Sequence, residues 1–144
     1  MIIIAHDIRS LHNVGAIFRN CAAFGVEKLY LTGYTAVPPR KEIAKVALGA
    51  EQLVSWEQGD IDQIIDELRS DGDQILGLET GEGAKDINSI NEDKIALVLG
   101  SEVEGIDQET IDKLDGIVEI PMNKKRSLNV SVASGVAMYS VLKK

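Results

Sequence analysis

The chain has 144 residues, 44% of them hydrophobic and 26% charged, which is the size and composition of one packed domain and excludes a disordered chain. Its formal charge of −8 disfavours a broad electrostatic nucleic-acid binder, so any contact with nucleic acid must run through local basic clusters. One cysteine excludes an internal disulfide, and with two histidines it leaves too few soft ligands for a zinc site.

Ile2 to Ala5 is a short continuous apolar run and reads as a buried strand. It carries no basic residues and is too short for a signal peptide. No segment reaches the roughly 18 apolar residues of a membrane span, so a cytoplasmic, non-membrane protein is expected. Asn13 then suits a helix N-cap. Val14, Ile17, Phe18, Cys21 and Phe24 follow at helical spacing, and Gly25 is placed to stop the helix. Lys28 to Thr32 predicts a second strand, Pro38-Pro39 a rigid loop, Glu42 to Leu48 a short helix and Leu53 to Trp56 a third strand. Asp60 can cap a helix with the stripe Ile61, Ile64, Ile65, Leu68, ended by Gly72.

Gln74 to Leu78 predicts a fourth strand, residues 80 to 94 a polar loop, and the wholly apolar Ile95 to Leu99 a central strand covered on both faces. A short helix capped by Asp107 and running to Leu114, a strand from Ile117 to Ile120, and a last helix from about Asn129 to Leu142 complete the chain. Strands alternating with helices predict a single α/β domain over residues 1–144, with a mostly parallel sheet and helices on both faces. In such sheets ligands lie beyond the carboxyl ends of the strands, here after Leu78, Leu99 and Ile120.

Three stretches could carry chemistry. Gly100-Ser101-Glu102-Val103-Glu104-Gly105 has the glycine spacing of a phosphate loop, but Ile106-Asp107 stands where Lys-Ser/Thr is required and two glutamates would repel phosphate. No G-x-G-x-x-G occurs, so a dinucleotide oxidoreductase lacks its fingerprint. The loop suits a ligand with positive charge or hydrogen-bond donors, or is a strand-to-helix turn with solvated glutamates. Ile120-Pro121-Met122-Asn123-Lys124-Lys125-Arg126-Ser127-Leu128-Asn129 places three cations beside a helix N-terminus, which Ser127 or Asn129 can cap. It is an anion-binding segment or an exposed basic loop. The helix behind it is apolar on nearly every side, as for a core helix or a helix at a subunit interface.

Asn13-Val14-Gly15-Ala16-Ile17-Phe18-Arg19 is the third stretch. Arg19 lies about 200° around the helix from Ile17, on a face with Ala16 and Ala23. That leaves its guanidinium solvated or free to grip phosphate with two hydrogen bonds. His6 and His12 form no recognisable triad or metal set, and Cys21 falls on the apolar stripe as a small core residue.

Together these stretches resemble three motifs of the SpoU/TrmH family of SPOUT RNA 2′-O-methyltransferases. The first is Asn13 to Arg19 continuing into Ala22-Ala23-Phe24-Gly25-Val26. The second is Leu97-Val98-Leu99-Gly100-Ser101-Glu102-Val103-Glu104-Gly105. The third is Ile120-Pro121-Met122 followed by Ser127-Leu128-Asn129-Val130-Ser131-Val132-Ala133. The motifs stand in family order and span nearly the whole chain, as in members made of the catalytic domain alone. Four residues separate Met122 from Ser127, where relatives usually have five.

The resemblance implies a SPOUT-type fold with a deep C-terminal trefoil knot, a homodimer, and S-adenosylmethionine (SAM) as methyl donor without a metal. It implies methyl transfer to a ribose 2′-hydroxyl of tRNA or rRNA. Leu78, Gly100, Ile120, Met122, Ser127 and Leu128 would receive the donor. Arg19 would anchor phosphate and stabilise the alkoxide, reaching the site from its own or the partner subunit; Asn13 would shape the site from the helix cap, Glu102 would orient Arg19 or the loop backbone, and Ser127 and Asn129 would order the knot. Arg19, Lys124, Lys125 and Arg126 would contact RNA. A related enzyme methylating a base nitrogen, and a catalytically idle RNA- or nucleotide-binding module, are the rival expectations.

Overall fold

A computed structural model describes residues 1–143. Seven strands, β1 (Ile2–His6), β2 (Lys28–Thr32), β3 (Trp56–Gly59), β4 (Gln74–Leu78), β5 (Lys85–Asp86), β6 (Ile95–Leu99) and β7 (Gly116–Glu119), form one sheet in the order β3-β2-β1-β6-β4-β7-β5. Every pairing in it is parallel. Among the described residues the α-helices are α1 (Leu11–Phe24), α2 (Lys41–Ala47), α3 (Ile61–Ser70), α4 (Gln108–Ile111) and α5 (Val130–Leu142).

The period-two alternation of a strand sorts the apolar residues to the two faces. Ile3, Ala5, Leu29, Leu31, Leu97 and Leu99 face one core with α1, Ile43 and Ala47 of α2, and Ala137 and Met138 of α5. Ile4, Tyr30, Ala96 and Val98 face a second core with Ile64, Ile65 and Leu68 of α3 and with Ile106. All five residues of β6 are buried, as expected of a strand covered on both sides.

Where the structure departs from the sequence reading, local chemistry explains it. Ser10, not Asn13, caps α1: its side chain accepts from the Asn13 N–H, and Asn13 is already helical, which frees its own side chain for other partners. The third strand is 56–59 rather than 53–56. Leu53 closes a 3-10 turn at Ala50–Gln52 and is 80% exposed. β3 is an edge strand, so its Glu57 and Gln58 need no apolar pattern. Residues 80–94 hold the two-residue β5 and a 3-10 turn, Ile87–Ser89, whose Ile87 is buried. α4 ends at Ile111, short of Leu114. Asn129, rather than Ser127, caps α5, accepting from the Ser131 and Val132 N–H groups.

Other expectations hold. Gly25 ends α1 at φ 73°, in the left-handed region that a side chain disfavours. Asp60 and Asp107 cap α3 and α4. Cys21 is fully buried, and burial pushes its thiol up to about 12. α5 buries Ser134, Ala137 and Met138 but leaves Val132, Val136 and Tyr139, one stripe at i, i+4 and i+7, exposed.

Candidate active-site cleft

The chain leaves β1 towards β2 on one side, and leaves β6 towards β7 on the other. β1 and β6 are neighbours, so their carboxyl ends diverge and open a crevice. Beside it lies a cleft lined by the segments that follow β4, β6 and β7: Leu78 to Thr80, Leu99 to Val103 with Gly105, and Glu119 to Ala133 in part. It encloses about 760 Å³ including its open mouth.

Each wall has a local cause. Leu99 ends the buried β6 and Gly100 turns the chain so tightly that a Cβ there would sit 2.5 Å from Gly105 C and Ile106 N. The turn is closed by paired bonds, Ser101 N–H to Gly105 O at 3.0 Å and Gly105 N–H to Ser101 O at 2.9 Å. β7 stops before Pro121, which has no N–H to continue a ladder. The chain then runs over the cleft mouth through Met122, Arg126, Ser127 and Leu128 to the Asn129 cap.

Glu102 is the junction of the three motifs. Its Oε2 accepts from Arg9 N–H at 3.0 Å, and its Oε1 accepts from Ser10 N–H and from Asn13 Nδ2, both at 3.0 Å. Asn13 Oδ1 in turn accepts from Asn129 Nδ2 at 3.3 Å. The loop after β6, the start of α1 and the start of α5 are therefore joined by side chains from all three. Burial works against ionising Glu102, but the donors from Ser10, Arg9 and Asn13 outweigh it and hold the carboxyl below the usual carboxylate range.

Leu78, Gly100, Ile120, Met122, Ser127 and Leu128 all line the cleft, as does Glu102. Arg126 lines it too, whereas Lys124 and Lys125 are exposed and outside the lining. Asn13 and Asn129 are not among the lining residues; Asn13 bonds to the lining residue Glu102, and Asn129 bonds to Asn13. Arg19 is exposed on α1, does not line the cleft and makes no bond to Glu102. Glu102 orients backbone instead, because its lone pairs are taken by Arg9, Ser10 and Asn13. His6 is buried away from the cleft, bonded through Nδ1 to Thr32 Oγ1 at 2.9 Å, and His12 is exposed.

The chain matches the SpoU rRNA Methylase family over residues 1–139. It belongs to that family. A Staphylococcus aureus (strain COL) protein named for the TrmH family of tRNA/rRNA methyltransferases is 32% identical over 146 residues, covering 99% of this chain and 58% of its own length. The crystal structure of the A. aeolicus TrmH/SpoU tRNA modifying enzyme superposes with a TM-score of 0.87 at 30% identity, over 99% of this chain and 73% of that one. The SpoU methyltransferase AviRb of Streptomyces viridochromogenes, in complex with AdoMet, shares the fold with a TM-score of 0.90 at 19% identity, over 99% and 59% of the two chains. This chain thus spans little more than half the length of that curated relative.

Within the family frame, the cleft contains residues to which the motifs assign no role. Glu79, Thr80, Glu119 and Val130 line it, and so does Ser101, whose Oγ is buried without a hydrogen-bond partner. Glu79 was findable, since it directly follows Leu78 at the carboxyl end of β4. Ser101 was not, because only the closed turn shows that its hydroxyl points inward. Among the described residues no group of three or more His, Cys, Asp or Glu side chains could hold a metal ion. Among the described residues no helix is long and apolar enough to cross a membrane.

Proposed function

We propose that this chain is the catalytic domain of a SAM-dependent RNA methyltransferase that transfers a methyl group to a ribose 2′-hydroxyl of tRNA or rRNA. The observation that carries this is the convergence of the three motifs on one cleft, through Glu102, Asn13 and Asn129, at the carboxyl ends of β4, β6 and β7.

The cleft fits the donor in chemistry. Leu78, Leu99, Ile120 and Leu128 offer apolar walls, and Gly100 leaves backbone uncovered. Glu79, Glu102 and Glu119 set carboxylates beside a single cation, Arg126, which suits a ligand carrying positive charge. When bound, SAM supplies a methyl already activated by its sulfonium. What remains for the protein is to hold the acceptor hydroxyl in line and to stabilise the alkoxide that forms as the hydroxyl proton passes to solvent. Backbone around Leu78, Gly100, Ile120, Met122, Ser127 and Leu128 holds the donor in this reading. Arg19 grips an RNA phosphate and stabilises the alkoxide. Its guanidinium, with a pKa above about 12, is a poor base.

Arg19 lies outside its own chain's cleft, so this mechanism needs Arg19 of a second subunit. A homodimer through α5 is supported by the exposed stripe Val132, Val136 and Tyr139. The C-terminal knot is part of the same proposal. It is supported by α5 docking on α1, where Asn20 Nδ2 donates to Ser131 O at 2.8 Å and to Ser134 Oγ at 3.0 Å. It is also supported by the likeness to the family's structures.

The test is transfer of tritiated methyl from SAM to unmodified tRNA and rRNA, followed by nucleoside digestion. Label on ribose is expected, and Arg19→Ala should lose turnover at least about a hundredfold with SAM binding kept. Label on a base would move the chain to base methylation. No label with any RNA, while SAM binds, would leave a binding module.

A further inference from the structure

The loop from Gly100 to Ile106 is held at both ends by carboxylates. One is Glu102, described above. The other is Glu79, the first residue beyond β4, which comes from a different part of the chain. The Glu79 N–H is bonded to Val118 O of β7 at 3.0 Å. Its Oε2 accepts from Ile106 N–H at 3.1 Å and its Oε1 from Thr80 N–H at 3.0 Å. Both carboxylate oxygens thus rest on backbone donors, and Glu79 joins β7 through its backbone N–H and the loop after β6 through its side chain, at one point of the cleft wall.

The packing leaves little alternative for this loop. Gly105 has φ 69°, which disfavours a side chain, and a methyl group added there would overlap Glu79 Oε2. The carboxylate therefore occupies the space that the missing side chain leaves, and the glycine is needed for the clamp as much as for the turn. Glu79 and Gly105 both line the cleft.

We infer that Glu79 is a positioning residue: it holds the Gly100–Ile106 loop in the one shape that receives the methyl donor. This rests on the reading that the cleft binds SAM. A clamp of this kind acts on the part of the site shared by SAM and its product, S-adenosylhomocysteine. It does not act on the sulfonium charge, because both oxygens of the carboxylate are already engaged by N–H groups.

Calorimetry with SAM and with S-adenosylhomocysteine tests this on the full chain. In Glu79→Ala both affinities are expected to fall by about tenfold. The KM for SAM should rise by the same factor while kcat falls less. Hydrogen exchange at the Ile106 and Gly105 amides should quicken in the ligand-free protein. Glu79→Gln keeps an acceptor for Ile106 N–H and should recover most of the affinity. Gly105→Ala should weaken binding in the parent chain and weaken it less when Glu79 is already alanine, because its steric partner is gone.

Loss of SAM affinity alone, with S-adenosylhomocysteine unaffected, would overturn the clamp in favour of direct charge recognition. Unchanged affinity for both in Glu79→Ala would overturn the assignment of Glu79 and leave the donor reading intact. A parent chain that binds neither compound would overturn both.

Discussion

Glu102 shows how much a single side chain can organise when its lone pairs face fixed donors. Glu102→Gln puts an amide N–H against at least one of the Arg9, Ser10 and Asn13 donors, and should lower stability at pH 7 by about 1 kcal/mol, a figure already reduced for its partial exposure. The sign with pH follows from the lowered carboxyl. Glu102 contributes fully above its ordinary value of 4.5, and the contribution is lost as pH falls through the lower folded-state value. The parent chain should therefore lose more stability than the glutamine variant on going from pH 7 to below that value. Urea midpoints at the two pH values check it, and an equal loss in both proteins would remove Glu102 as an acid-sensitive anchor. The motif spacing made Glu102 a candidate. Its actual partners were not legible, because Arg9 and Ser10 lie more than ninety positions away in sequence and meet it only across the diverging ends of β1 and β6.

Among the elements, α5 is the informative case. Its sequence is apolar on nearly every side, and one chain covers only the stripe with Ser134, Ala137 and Met138. Val136→Glu changes a residue 39% exposed in the single chain, so by itself it should cost no more than about 0.5 kcal/mol. With a second subunit on that stripe it should instead convert the protein to a folded monomer and abolish methyl transfer. Sedimentation and circular dichroism together decide this, and a mass identical to that of the parent would place any dimer contact elsewhere. β3 and β5 illustrate the opposite case. Both are polar edge segments whose pairing depends on one neighbour, so neither advertises itself by an apolar run.

Across the whole molecule, the acidic balance is not spread evenly. Residues 60–73 and 107–115 hold ten of the 23 acidic side chains and two of the 15 basic ones, so the full charge of −8 resides there and the rest of the chain is balanced. Those segments carry α3 and α4, on the face of the sheet opposite α1, α2 and α5. An acidic chain can thus present a non-acidic face to RNA, and repulsion from the far face would help to orient the encounter. Replacing Lys124, Lys125 and Arg126 together with alanine should weaken RNA binding and flatten its salt dependence, by roughly 0.7 to 0.9 in log–log slope for each phosphate left unneutralised. Lys113→Ala, on the acidic side and bonded to Asp62, should leave the slope unchanged. A slope unaffected by the triple change would put the RNA on another surface.

Periodicity and punctuation in the sequence by themselves determined the alternating α/β class, the buried β6, the caps at Asp60 and Asp107, and the strand ends at which the cleft opens. These are local effects: apolar spacing, an oxygen near free N–H groups, a glycine or proline where the chain must turn. Tertiary structure alone decided that Ser10 takes the α1 cap and releases Asn13, that Glu102 and Glu79 hold the two ends of one loop, and that Arg19 lies outside its own cleft. Each of those depends on hydrogen bonds or packing between segments far apart in sequence, whose meeting is set by strand order and is not encoded in any local pattern.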